Sequence, residues 1–101
     1  MAYSYVFSWD NNKATINERK HKVTFEVAAQ VFKDPDALTI FDNENSINEE
    51  RWITLGRVAA KGLLLVIHTH VEYNTERAEI RIISARKATN REMSDYHGDS
   101  R

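Results

Sequence analysis

The chain has 101 residues, 42% hydrophobic and 29% charged, which predicts one domain, residues 1–101, with a single two-layered core. There is no apolar run of about 18 residues, no basic and apolar leader in MAYSYVFSWD, and no cysteine. A membrane span, export, disulfides and thiolate metal sites are therefore not expected, and a reducing cytoplasm is. The net charge of −1 argues against a simple nucleic-acid binder, yet it is unevenly spread: residues 1–50 hold 5 Lys+Arg against 9 Asp+Glu, residues 51–101 hold 9 against 6, and a basic face is possible.

In chain order, Val6 to Trp9 reads as a short strand. Asp10, Asn11 or Asn12 caps a weakly amphipathic helix from Lys13 to about His21. Thr24 caps a second helix with Phe25, Ala28, Ala29 and Phe32 on one face, and Asp34-Pro35 ends it. Ala37 to Phe41 reads as a strand, and Asp42 to Glu50 as a polar, acidic loop. Three strands follow: Arg51 to Ala59, Leu63 to Glu72, and one opening at Arg77. Short turns join them into an antiparallel meander. Thr89 and Glu92 have capping-box spacing for a last helix from about Asn90 to His97, with Met93 and Tyr96 on one face and Gly98 as its stop. This order predicts α+β: two N-terminal helices and a C-terminal helix packed on one face of a small antiparallel sheet.

Strand alternation sorts the candidate site residues. Leu63, Leu65, Ile67, Thr69 and Val71 make the better core face, which assigns Leu64, Val66, His68 and His70 to the more open one. His68-Thr69-His70 is an H-x-H pair without a third ligand at metal spacing, so neither metal nor cofactor is expected. Near neutral pH an imidazole can act as general base or acid on phosphate, and the plainer reading is a polar group at a sheet edge. Arg57, Arg81 and Arg86, with Lys61 and Lys87, are the anion-binding candidates, because a guanidinium offers two donors to phosphate oxygens at once. Salt bridges to Glu72, Glu76 and Glu79 are the alternative. Arg81 and Arg86 differ in parity, so both line one site only if the strand bulges or ends between them. Trp9 could stack a base, or could be core.

Phe7-Ser-Trp-Asp10, Asn17-Glu-Arg-Lys-His21, Val31-Phe-Lys-Asp-Pro35, Glu50-Arg-Trp-Ile-Thr-Leu-Gly56 and Ile80-Arg-Ile-Ile-Ser-Ala-Arg-Lys-Ala88, ending in Glu92 and Tyr96, resemble the BrnT toxins of bacterial type II toxin–antitoxin pairs. The resemblance implies a RelE-like ribonuclease fold, metal-free RNA cleavage that inhibits translation, on or off the ribosome, and neutralisation by a BrnA-like ribbon-helix-helix antitoxin. DNA would be reached only through that antitoxin. By the same resemblance Arg81 and Arg86, then Arg57 and more loosely His68, are the catalytic candidates; His70 joins them as a substitute, and residue chemistry adds Trp9, Lys61, Arg77 and Lys87 as RNA-binding candidates. Two positions depart from the pattern. Lys22 stands where the family often has Gly, and His70 where it often has Arg, with His70 or Arg77 as the substitute. The alternative function is a catalytically weak subunit that clamps an antitoxin and modulates its DNA binding.

Overall fold

The computed structural model describes residues 4–98. In order, the elements are β1 (Ser4–Trp9), α1 (Asn11–His21), α2 (Phe25–Ala28), β2 (Leu38–Phe41), β3 (Trp52–Val58), β4 (Gly62–His68), β5 (Val71–Glu72), β6 (Arg77–Lys87) and α3 (Asn90–His97). Asp10 caps α1 by accepting from the amides of Asn12 and Lys13 at 2.8 and 3.0 Å, and Thr24 caps α2 by accepting from Val27 at 3.2 Å. The second helix keeps only one α turn before tightening to a 3-10 turn over Ala29–Lys33, where the chain meets Asp34-Pro35. Residue 22, flagged above, is the left-handed C-cap of α1, with φ 60° and ψ 32°. That is a conformation glycine adopts without penalty, and this chain enters it with lysine.

The strand order is β1-β6-β4-β3-β2, with β5 also on β6. The meander β3-β4-β6 is antiparallel, as expected. β1, however, runs parallel to β6, so the sheet is mixed. The connection from β1 to β6 spans most of the chain, and such a crossover leaves no signal in local sequence. The long strand expected over Leu63 to Glu72 is interrupted between β4 and β5, at Thr69 and His70.

The helices divide between the two sheet faces rather than sharing one. Under α1 and α2 lie Val23, Phe25, Ala28, Val31, Val58, Leu64, Val66, Ile80, Ile82 and Ala85, all buried, with Phe7, Trp9 and Phe32 packed against them. On the other face Leu55, Leu63 and Leu65 lie beside Ile53, Ile67, Ala88 and Tyr96, the last carried by α3. The assignment of faces on β4 is thus reversed from expectation. Leu64, Val66 and His68 point into the main core, and the alternate set faces the side that α3 only partly covers. Both faces of β4 are apolar, so alternation alone could not rank them.

A bulge sets the register of β6. Ile67 pairs with Ser84 but the next residue, His68, pairs with Ile82, so Ile83 is an extra residue on β6. Burial records the slip: Ala78, Ile80 and Ile82 are buried at every second position, and the next buried residue is Ala85. Past the bulge β1 has ended, and α1 supplies the missing edge. Asn17 Nδ2 donates to the Ala85 carbonyl at 2.9 Å, and Asn17 Oδ1 accepts from the Ala85 amide at 3.1 Å. Asn17 also donates to the Val23 carbonyl at 3.1 Å, which ties the α1–α2 joint to the same point.

Candidate active site

The bulge answers the parity problem. Before it, Arg77, Glu79 and Arg81 alternate with the buried positions; after it, Arg86 does the same on the same side. Arg81 and Arg86 therefore share the face opposite α1 and α2, about 15 Å apart at their Cα atoms from the rise of a strand. Arg57 lies on this face too, since Leu55 packs there and Arg57 is two residues on. Lys87 and Trp9 do not. Lys87 is on the other side of β6, and the Trp9 ring meets Phe25 edge-on with centroids 5.9 Å apart, against the core. Arg77 opens β6, and Lys61 sits exposed in the β3–β4 turn.

Arg81, Arg86 and Arg57 each already engage groups of the chain itself. Arg81 Nη2 reaches both carboxylate oxygens of Glu49, at 2.6 and 2.5 Å, and Arg51 adds a longer contact of 3.6 Å. Arg81 holds the Glu49 carboxyl below its usual value, outweighing what burial does to raise it. Arg86 grips Glu92 with two parallel bonds of 2.9 Å. The same carboxylate closes the capping box of α3 with Thr89, and the Arg86 bond is the main reason its pKa falls to about 2. The carboxylates that hold Arg81 and Arg86 come from the acidic loop and from α3 rather than from Glu79. Glu79 instead accepts from Ser8 at 3.2 Å and Tyr73 at 2.8 Å.

Arg57 has a third kind of setting. Its guanidinium carbon lies 5.6 Å from the centre of the Tyr96 ring, and its Nη2 is 3.5 Å from His97 Nε2. Asp34 Oδ2 accepts from the Arg57 amide at 2.7 Å and from the Tyr96 hydroxyl at 2.6 Å, tying the end of the 3-10 turn to both β3 and α3. Burial alone would raise the Asp34 pKa, but these bonds lower it, and the same bond raises that of Tyr96. Asp34, Tyr96 and His97 thus join Arg57. From the sequence Asp34 is a helix stop and Tyr96 lies on one face of the last helix, as an anchor or a site residue, and only proximity in the fold brings them to Arg57.

The two histidines part company. His68 has no exposed surface, with its ring edge-on to Phe32 at 4.8 Å. Its Nδ1 donates to the Thr69 carbonyl at 2.9 Å, so Nε2 accepts from the Thr54 hydroxyl at 2.7 Å, which in turn accepts from Thr39 at 2.8 Å. Burial pushes its pKa down to about 4, and it is neutral at pH 7. The expectation that His68 stands on an open face is corrected here: the interior phase of β4 carries it into the core. His70, past the end of β4, is half-exposed. It lines a groove of about 320 Å³ with Glu49, Glu50, Thr69, Val71, Glu79 and Arg81. No group of three or more His, Cys, Asp and Glu side chains at metal-binding distances occurs among the described residues.

The arginines of this face therefore fall at two ends: Arg81, beside His70 in its groove, at one, and Arg57 and Arg86 under α3 at the other. Residues 9–92 match the family described as the ribonuclease toxin, BrnT, of a type II toxin–antitoxin system. The crystal structure of the Brucella abortus ribonuclease toxin, BrnT, is similar in fold, with a TM-score of 0.62 at 20% sequence identity over 86% of this chain and 100% of that one. No curated protein sequence matches the chain. A family match spanning nearly the whole sequence, over a fold of the same kind, shows that the chain belongs to the BrnT family of ribonuclease toxins of type II toxin–antitoxin systems.

Proposed function

We propose that the chain is a metal-free endoribonuclease acting through the face that carries Arg81 and Arg86, and that it inhibits translation until a BrnA-like antitoxin neutralises it. The observation that supports this most is the bulge at Ile83, which turns both arginines to one side, each already holding a carboxylate, Arg86 through two nitrogens and Arg81 through Nη2 alone. A carboxylate in a guanidinium fork occupies the place a phosphate takes. In this reading His70, in the groove with Arg81, accepts the proton of a ribose 2′-OH. The 2′ oxygen attacks the neighbouring phosphorus in line. Arg81 steadies the charge that builds on the phosphoryl oxygens, and the 5′ oxygen leaves with a proton taken up from water. The products are a 2′,3′-cyclic phosphate and a free 5′-OH. Arg86 and Arg57 hold flanking phosphates, with Lys61 and Arg77 at the ends of the track. His68, neutral and enclosed, braces β3 against β4 and takes no proton.

The test is induction of the chain alone in a bacterial host, followed by incubation of the purified chain with RNA in excess chelator. Growth arrest and chelator-resistant cleavage to cyclic-phosphate ends are expected. Unimpaired growth with expression confirmed would sink the toxin reading, and cleavage abolished by chelation would remove the metal-free mechanism. The second reading, a weak enzyme that mainly clamps an antitoxin, draws on the same groove: Glu49, Glu50 and Glu79 surround His70 and Arg81. Three carboxylates there oppose a polyanion. Tight antitoxin binding with intact RNA, ribosomes present, is the result that would favour it.

A further inference from the structure

β2 is an outer strand of the sheet, paired with β3 alone. All four of its residues, Leu38 to Phe41, are exposed, and Ile40 shows 61% of its surface. Ile47, in the loop that follows, shows 85%. The other edge of the sheet is different: on β1, Tyr5 and Phe7 turn inward onto Phe32, each ring 5.5 Å away, and Val6 is its one exposed large apolar side chain among the described residues. The backbone of β2 is equally open. The Asp42 amide donates to the Arg51 carbonyl at 2.9 Å, so by antiparallel alternation Ile40 and Leu38 also bond to β3, through Ile53 and Leu55. Thr39 and Phe41 then turn their N–H and C=O groups away from the sheet. Soluble proteins guard such an edge with lysine, proline or a bulge, and the sequence LTIF has none of them.

The charge around this edge selects what can cover it. From residue 34 to residue 50 there are six Asp and Glu and no Lys or Arg. RNA is repelled by such a surface, and so is a second copy of the same edge. A basic protein strand is attracted. Beside the edge, Thr39, Glu50, Trp52, His70 and Glu72 line a groove of about 500 Å³, where an incoming arginine can stack on Trp52 and pair with Glu50. We propose that the antitoxin docks by adding an extended, basic segment to the free edge of β2, its backbone bonding to Thr39 and Phe41 and its apolar side chains covering Leu38, Ile40 and Ile47. This rests on the toxin–antitoxin reading and names the surface that reading leaves open. The edge also leads to the His70 groove, so a segment seated there would stand at the entrance to Arg81.

The test uses the full chain co-expressed with the protein encoded by the adjacent reading frame. Two lysines are placed on the edge, in a Leu38→Lys, Ile40→Lys variant, with Val6→Lys on the opposite edge as control. All three positions are exposed, so the melting temperature of the free chain should hardly move. The edge variant should bind at least 100-fold more weakly than wild type and the control should bind normally. In the wild-type complex the amides of Thr39 and Phe41 should become protected from hydrogen exchange. Wild-type affinity in the edge variant, or unchanged exchange at both amides, would overturn the proposal while leaving the toxin–antitoxin reading in place. No binding by the wild-type chain would overturn the antitoxin reading itself, and the edge proposal with it. A dimer of the free chain that the edge variant breaks would also overturn it, by giving the edge to a second copy.

Discussion

The two faces of the sheet are made by the same strands and have opposite characters. Under α1 and α2 every notable polar group is closed. His68 spends both ring nitrogens on Thr69 and Thr54, and Asn17 spends its whole carboxamide on Ala85 and Val23. On the opposite face the polar groups are held but exchangeable: Arg81 and Arg86 grip carboxylates at positions water reaches, with 44% and 35% of their side chains exposed. The difference teaches that residue type does not decide which side chain is available for chemistry. Histidine is the usual first choice for a base near pH 7, and here one histidine is a structural brace while the arginines stay within reach of solvent.

The comparison breaks most sharply at Arg81. Arg81→Ala should slow RNA cleavage by about 100- to 1,000-fold, the usual effect of removing one donor to a developing oxyanion. Its unfolding midpoint should stay near wild type, because an exposed ion pair contributes little to stability. Cleavage at the wild-type rate would remove Arg81 from the site. Glu49→Gln should act the other way and lower KM several-fold, since the fork then lacks its internal competitor.

His68 makes the opposite case, a large effect on folding rather than on chemistry. Its folded pKa of about 4 lies below the ordinary histidine value of 6.5. The unfolded chain therefore binds more protons between those values, and stability falls as pH drops from 6.5 toward 4, then levels off. The loss is about 3 kcal/mol from a shift of this size. Urea titrations at pH 7 and pH 4 check it. His68→Gln can reach the same partners but cannot titrate, so its stability should fall by about 3 kcal/mol less than wild type over that interval. Parallel pH profiles of the two proteins would refute the assignment.

Local chemistry made the elements legible and left the sheet face ambiguous. Asp10, Thr24, Thr89 with Glu92, and Gly98 all cap where spacing predicts, because capping bonds lie within four residues in sequence. The parallel pairing of β1 with β6 joins residues some seventy positions apart, with nothing local to announce it. The orientation of β4 failed for a different reason. Leu63, Leu65 and Ile67 are as apolar as Leu64 and Val66, and only the helices that cover one side rank them. For the arginines, alternation correctly stated its own condition, a bulge between Arg81 and Arg86, but could not supply it. The bulge lies where His68 and Ile82 meet across strands, two residues before the Ala85 that Asn17 bonds from α1, and both contacts are remote in sequence. Asn17 spoiled the apolar stripe of its helix, and that irregularity was the available sign that the residue had a specific partner.

Asn17 is where the closed face reaches through to the open one. Asn17→Ala would leave the Ala85 amide and carbonyl buried without partners, just before Arg86. A destabilisation of about 2 kcal/mol is expected from orphaned groups of this kind. Cleavage should fall as well in protein that remains folded, because the turn of Arg86 toward the site depends on the strand beyond the bulge. If cleavage per folded molecule is unchanged, the bulge holds without Asn17, and the two faces are independent at this point.

Lys22 gives the smallest effect and the cleanest separation of the faces. It is exposed, at the joint of α1 and α2, and its φ of 60° costs an L-residue about 1 kcal/mol or slightly more. Glycine pays no such penalty there but gains freedom in the unfolded chain, which offsets part of the benefit. Lys22→Gly should therefore stabilise by up to about 1 kcal/mol, raising the melting temperature by about 5 °C in a chain of this size. The position touches only the joint on the closed face, so cleavage at saturating RNA should not change. A more stable protein with equal activity would mean that the α1–α2 face can be tightened without reaching the arginines. A more stable protein with altered activity would mean that the joint reaches them, and the path open to it is the Asn17 bond to Val23, one residue away.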